Sequence, residues 1–214
     1  MHNYKLIIFD WDGTLMDSEA KIVGSIQAAA QRANLPIPSK QAARNVIGLS
    51  LGPAIQQLFS FDSQQQVDDL VAFYKSEFVA QKESASPLFD GVEQMLESLR
   101  TKSLLLAVAT GKGRLGLTAA WQQTGTEHFF HTSRCADDAK SKPHPEMLEQ
   151  ILCELSIKPT EALMVGDTSY DMAMAEAINM DRLAVSFGVH SQAQLNLHNP
   201  IGIIDSIEQL HSYQ

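Results

Sequence analysis

The stretch LIIFDWDGTLMDSE, residues 6–19, sets Asp10 and Asp12 one residue apart at the end of an apolar run and follows them with Gly13. An ionised carboxylate buried without a partner is costly, so the pair must be met by water or by a cation. On extended backbone the two side chains would point the same way, and Gly13 would permit a sharp exit from the strand. Three further stretches carry groups that could serve such a pair. In VATGKG, Thr110 and Gly111 close a second apolar run with a hydroxyl and free N–H groups suited to cradling a phosphate, although an ordinary strand-to-helix turn reads the same way. In KSKPHPEML, Lys142 precedes two prolines that stiffen the chain and open a helix; a loop lysine is also, more simply, a solvated charge. In MVGDTSYD, Asp167 ends an apolar run and Asp171 follows four residues later, within reach of the same place if a helix begins there. Alone, Asp171 would equally suit the dipole of a helix start.

These residues need elements to hold them. YKLIIFD, SLLLAVAT, ALMVGD and RLAVSF are nearly continuous apolar runs, as expected of parallel strands covered on both faces, and HFFHT and GIID are shorter candidates. After Asp90, a plausible N-cap, Val92, Met95, Leu96 and Leu99 form one helical stripe. The alternation predicts an α/β fold with an open, doubly wound parallel sheet, whose ligands bind at the carboxyl ends of the strands. Residues 17 to about 86 break it: Ile22, Ile26, Ala29, Ala30 and Ala33 make one helical stripe, and Val67, Leu70, Val71, Tyr74 and Phe78 another. That segment reads as a helical insert after the first strand, with connections near Met16 and Pro87.

Composition narrows the function classes. The 214 residues are 44% hydrophobic, enough for a sizeable core. A formal net charge of −9 disfavours a broad basic surface for nucleic acid or anionic lipid, so an anionic substrate must be attracted locally. The start MHNYKLIIFDWDG has no apolar signal region, and no run approaches the ~20 apolar residues of a membrane span. The expectation is a cytoplasmic protein, monomer or weak dimer, without nucleic-acid or membrane partners. Cys135 and Cys153 form no CxxC pair and read as small packing residues. GKGRLG lacks the spacing of a nucleotide-binding P-loop, which leaves Lys112 and Arg114 in the first turn after a strand, where one could reach substrate. His128 and His131 have no metal-ligand context, Asp137 and Asp138 read as loop charges, and Met172 and Met174 as core.

Taken in order, DxDG, T-G, K-P-x-P and G-D-x-x-x-D, each at an expected strand end, resemble the haloacid dehalogenase-like hydrolases. Within that superfamily the chain is similar to the phosphoglycolate phosphatase-like and β-phosphoglucomutase-like branch, over essentially its whole length. The resemblance implies a Rossmann-like core, residues 1–16 and 87–214, with residues 17–86 as its helical cap. It implies that Asp10 is the nucleophile, forming an aspartyl phosphate, and that Asp12 protonates the leaving group and later deprotonates water. Mg²⁺ would be held by Asp10, the Asp12 backbone carbonyl and Asp167, with Asp171 acting directly or through water. Thr110 and Gly111 would grip the phosphoryl oxygens, and Lys142 would neutralise charge on nucleophile and phosphate together. The implied activity is Mg²⁺-dependent hydrolysis of a small phosphorylated metabolite. A phosphomutase or phosphotransferase using the same aspartyl phosphate, and a non-catalytic phosphate-binding protein, are the alternatives. Two residues depart from the family pattern: Asn179 stands where a helix-closing glycine is common, and Gly111 where many relatives have asparagine. Within the insert, RNVIGLSLG, residues 44–52, reads either as a helix–helix turn or as a loop that brings Arg44 and Ser50 to the aspartates and selects substrate.

Overall fold

The computed structural model describes residues 4–81 and 86–213. The apolar runs become β1 (Leu6–Phe9), β2 (Leu105–Ala109), β3 (Thr132–Arg134), β4 (Ala162–Gly166), β5 (Asp181–Val185) and β6 (Gly202–Ile204). They form one parallel sheet in the order β3-β2-β1-β4-β5-β6. Helices α1 (Glu19–Arg32), α2 (Lys40–Arg44), α3 (Leu51–Leu58) and α4 (Gln64–Ala80) follow β1 with no strand between them. Thereafter α5 (Val92–Thr101), α6 (Arg114–Thr124), α7 (Glu146–Leu155), α8 (Ser169–Glu176) and α9 (Gln192–Asn196) alternate with the strands.

Both faces of the sheet are covered, which is why its strands read as unbroken apolar runs. Ile7 and Phe9 pack with Met95, Leu96 and Leu99 of α5 and with Trp121 of α6. Leu6 and Ile8 pack on the other face with Met147, Leu148 and Ile151 of α7 and Met174 of α8. The strand order changes direction between β1 and β4, and such a switch point is where an open α/β sheet leaves a crevice at its carboxyl edge. Asp10 and Asp167 are the residues that follow those two strands.

The four helices after β1 share two apolar clusters, one of which also takes in Val189 from the loop after β5. Ile22 and Ile26 of α1 pack with Val46, Ile47 and Ala54 and against Tyr74 and Phe78 of α4. The chain leaves and re-enters beside β1 along paired segments: Asp17 N–H donates to the Pro87 carbonyl at 2.8 Å, Phe89 N–H donates to the Leu15 carbonyl at 3.0 Å, and Met16 bridges Leu88 antiparallel. The first three residues, part of the stretch read for a signal region, and residues 82–85, beside the second connection, lie outside the described residues.

Four local expectations need correction. HFFHT meets its strand only at its end: Glu127–Phe129 is a 3-10 turn following the left-handed Gly125 that ends α6, the His131 amide makes the first bond to β2, and β3 runs from Thr132 to Arg134. Gly91, not Asp90, occupies the N-cap position of α5. Cys153 is exposed on α7, whose apolar stripe runs through Leu148, Ile151 and Leu152 and leaves it facing solvent. Asp138 is more than a loop charge, since it accepts from the Cys135 amide at 2.9 Å and pairs with Arg114. Asn179, by contrast, adopts the left-handed conformation expected of it, at φ 55°.

Candidate active site

At the end of β1, Asp10 N–H still donates to the Val165 carbonyl at 2.9 Å, holding the residue in register with β4. The chain then folds over Trp11, whose carbonyl accepts from the amides of Leu15 and Met16 at 3.0 Å. Buried Trp11 anchors that turn, its ring edge-on to Trp121 with centroids 6.4 Å apart. Gly13 sits at φ 86°, and a Cβ there would run into the Asp167 carboxylate, so only glycine lets the turn lie against β4. Asp167 is oriented by two donors, Thr14 Oγ1 and the Val189 amide, each at 2.8 Å.

The other half of the cluster is built by two helix starts. Thr168 caps α8 reciprocally with Asp171, whose Oδ2 accepts from Thr168 Oγ1 at 2.6 Å and from its amide at 3.1 Å. The opposite oxygen, Oδ1, accepts from Lys142 Nζ at 2.6 Å, and the same ammonium lies 2.8 Å from Asp10 Oδ1. Lys142 arrives there on the proline-flanked turn that ends at Pro145, the N-cap residue of α7.

Asp10, Asp167 and Asp171 offer oxygens within 4.8 Å of one another, and all three residues are buried. Burial first, then repulsion from Asp171 and Asp167, pushes the Asp10 carboxyl well above its ordinary range against the pull of Lys142. Burial and the Asp171 charge push Asp167 up to about 7. Burial would lower Lys142, but Asp10 and Asp171 hold it above its ordinary value. Three carboxylates against one ammonium leave two negative charges, which a divalent cation would neutralise. Asp10 Oδ2 is buried and accepts no hydrogen bond among the described residues, so a donor atom stands ready. An all-oxygen set of this kind fits a hard divalent metal ion.

Asp12 belongs to a second cluster. Its Oδ1 accepts from Ser18 Oγ at 2.6 Å and its Oδ2 lies 3.0 Å from Lys112 Nζ, so it shares no partner with Asp10. The strand ends at Phe9, and the alternation that would have aligned the two side chains ends with it. Lys112 N–H donates to Thr110 Oγ1 at 3.1 Å, which leaves the buried Thr110 hydroxyl its own proton to donate. Arg114, one of the two cations expected near substrate, instead donates to Ser133 Oγ at 2.7 Å and pairs with Asp138.

Residues 44–50 lie across the core loops. A Cβ on Gly111 would sit 2.5 Å from the carbonyl oxygens of Gly48 and Leu49. Tyr170 Oη donates to the Asn45 carbonyl at 2.8 Å, and Ser50 N–H donates to Ser141 Oγ, next to Lys142, at 2.9 Å. Arg44 donates to the Val189 carbonyl at 3.2 Å and pairs with Glu19 at 2.9 Å. Its guanidinium is therefore committed to backbone beside Asp167 and to α1. Ser50 Oγ is buried without a partner among the described residues. The sequence reading missed Thr14, Ser18, Thr168 and the Val189 amide. Thr168 carried a signal, the T-x-x-D pattern of a capping box, whereas Val189 meets Asp167 only because β5 lies beside β4.

The family model described as haloacid dehalogenase-like hydrolase matches residues 7–185. The chain belongs to that family. This hydrolase is 32% identical over 209 residues to the probable phosphatase IndB of Dickeya dadantii, across 96% of this chain and 91% of that one. It is 25% identical over 207 residues to the pyrophosphatase PpaX of Oceanobacillus iheyensis, across 96% and 94%. In fold it matches, with a TM-score of 0.90, 22% identity and coverage of 100% and 99%, a solved structure from Haemophilus somnus described as "a predicted phosphoglycolate phosphatase". It is thus an enzyme of a hydrolase family, with relatives named as phosphatases. No helix among the described residues is long and apolar enough to cross a membrane.

Proposed function

We propose that this hydrolase cleaves small phosphomonoesters by passing the phosphoryl group to Asp10, and that the divalent ion is Mg²⁺. The observation that carries this reading is the Asp10 carboxylate, buried, beside Lys142 at one oxygen and without a hydrogen bond at the other. Asp10 attacks phosphorus as the bond to the alkoxide breaks, and Asp12 gives that alkoxide a proton. Asp12 then takes a proton from the water that hydrolyses the aspartyl phosphate. The Thr110 hydroxyl and Gly111 amide bind phosphoryl oxygens, and Lys142 balances charge shared between carboxylate and phosphate. Asp10, Asp167 and the Asp12 carbonyl would hold Mg²⁺, with Asp171 orienting Lys142 and reaching the ion directly or through water. When bound, the ion screens the carboxylate from the anion it must attack.

In this reading residues 17–86 are a cap over a core of residues 1–16 and 87–214, and loop 44–52, with Arg44 and Ser50, shapes what the site accepts. The names of the relatives, a phosphatase and a pyrophosphatase, support a small phosphorylated substrate. The test is phosphate release from a generic aryl phosphate and a panel of phosphorylated metabolites, with and without Mg²⁺. Asp10→Asn should lose at least about a thousandfold in kcat/KM with its thermal melt retained. Full activity in that variant or in excess chelator would overturn the mechanism. Transfer to a second sugar phosphate in place of water would turn the reading to a phosphomutase.

A further inference from the structure

Two lysines converge on one aromatic ring at the boundary between the helical segment and the core. Lys21 of α1 places Nζ 4.6 Å from the centroid of Phe78 in α4, and Lys112, from the loop after β2, places Nζ 5.2 Å from the same centroid. Lys112 has a counter-ion, Asp12 Oδ2 at 3.0 Å. Lys21 has no carboxylate partner among the described residues. Two acids close by in the chain are committed elsewhere: Glu19 of α1 pairs with Arg44, and Glu77 of α4 pairs with Arg32.

We propose, resting on the reading of Asp12 as the group that protonates the leaving oxygen, that Lys21 and Lys112 form a second anion subsite that selects phosphomonoesters, or the phosphoanhydride pyrophosphate, whose leaving group carries its own negative charge. Whatever is bonded to the oxygen that Asp12 protonates must extend from Asp12, and Lys112, Lys21 and Phe78 are gathered there. Tyr74, stacked on Phe78 at 5.8 Å between centroids, adds an apolar wall. Among the described residues two ammonium groups share this space with one carboxylate, and an anionic leaving group would supply the missing counter-charge. Burial and the Lys112 charge hold the Lys21 ammonium below its ordinary value, as expected of a cation whose repulsion is not yet relieved. In a chain of net charge −9, this seam is also a place where an anion is attracted rather than repelled.

The test compares kcat/KM of the Mg²⁺-loaded enzyme for ethyl phosphate, 2-phosphoglycolate and pyrophosphate, which leave as a neutral alcohol, a carboxylate-bearing alcohol and a phosphate. Lys21→Gln should lower the ratio of anionic to neutral substrate about tenfold, chiefly through KM, as expected for one partly screened charge. Lys21→Glu should lower it further, and Lys21→Arg should restore it. A fall for 2-phosphoglycolate alone or pyrophosphate alone supports the subsite and assigns it to carboxylate or to phosphate. An equal change for all three substrates, no change, or a wild type that prefers ethyl phosphate would overturn the subsite. An aryl phosphate run in parallel separates the two ideas: a wild type that turns over none of the four substrates overturns the proposed function, and turnover with unmoved ratios overturns only the subsite.

Discussion

At the sheet edge, Asp10, Lys142, Asp167 and Asp171 are each 1% exposed or less, and each is placed by a strand end, a helix cap or, for Lys142, the proline-flanked turn that opens α7. At the seam with the helical segment, Asp12, Lys112, Ser18 and Lys21 reach one another from a turn, a loop, a linker and a helix. The first cluster has its geometry written into the sheet, and its electrostatic problem is excess negative charge. The second is assembled across two segments of the chain and, among the described residues, holds two ammonium groups against one carboxylate. Groups that must meet phosphorus within tenths of an ångström gain from the rigid setting, whereas groups that sort substrates can sit where segments close on a ligand.

The harshest way to break the comparison is to remove the cation at the sheet edge. Lys142→Met should lose activity by about a thousandfold and destabilise the fold by roughly 3 kcal/mol at neutral pH, because two buried carboxylates lose the ammonium they share. Thermal melts with and without Mg²⁺ would check this, with the ion recovering part of the loss. A variant as stable as the wild type at pH 8 without metal would show that the cluster is not held as described.

A gentler probe is pH. Asp167 is pushed up to about 7 in the folded protein from an ordinary value of 3.8, so the folded state keeps a proton there that the unfolded state has lost. Metal-free stability should therefore be highest below about pH 4 for this group and fall as pH rises toward 7. Mg²⁺, which favours the ionised carboxylates, should flatten that slope. Melting temperature against pH in the two states measures it, and a slope unaffected by Mg²⁺ would contradict it.

At the seam, Gly111→Ala would press a methyl group into the Gly48 and Leu49 carbonyls. The expected cost is about 1–2 kcal/mol of stability or a comparable loosening of loop 44–50, with kcat/KM falling about tenfold and the sheet-edge pH slope unchanged. Amide exchange in residues 44–50 would report the loosening, and slow, wild-type exchange there would refute it. The smallest effect belongs to a place outside both clusters. Burial would raise the Asp138 carboxyl, but the Cys135 amide and Arg114 outweigh it and hold the group below its ordinary value. Asp138→Asn should cost about 1 kcal/mol at neutral pH. That difference should be present above the ordinary carboxyl range and vanish as pH falls through the depressed value. Phosphatase activity should stay within twofold of wild type.

Legibility in the sequence followed the same division. Strands covered on both faces announce themselves as apolar runs, and the residues that end them, Asp10, Thr110 and Asp167, fall at one edge from chain order and periodicity alone. Lys142 was legible as a motif member, yet its simultaneous contact with Asp10 and Asp171 needed α7 and α8 packed on the same face. The seam was hardly legible. Nothing marks Lys21 out, and Arg44 is expected to reach the aspartates rather than Glu19 and the Val189 carbonyl, because local spacing does not encode which loop of the other segment will lie opposite.

By itself the sequence determined the parallel α/β core, the helical insert and the carboxylate-rich strand ends, since apolar periodicity and chain order act over a few residues and survive without knowledge of the rest. Only the tertiary structure decided that Asp12 turns from Asp10 toward Ser18 and Lys112, that Arg44 is spent on the Val189 carbonyl and Glu19, and that Lys21 meets Phe78 and has no carboxylate partner among the described residues. Those outcomes depend on electrostatics between residues far apart in the chain, where the partner a charge finds is set by which elements the core brings side by side.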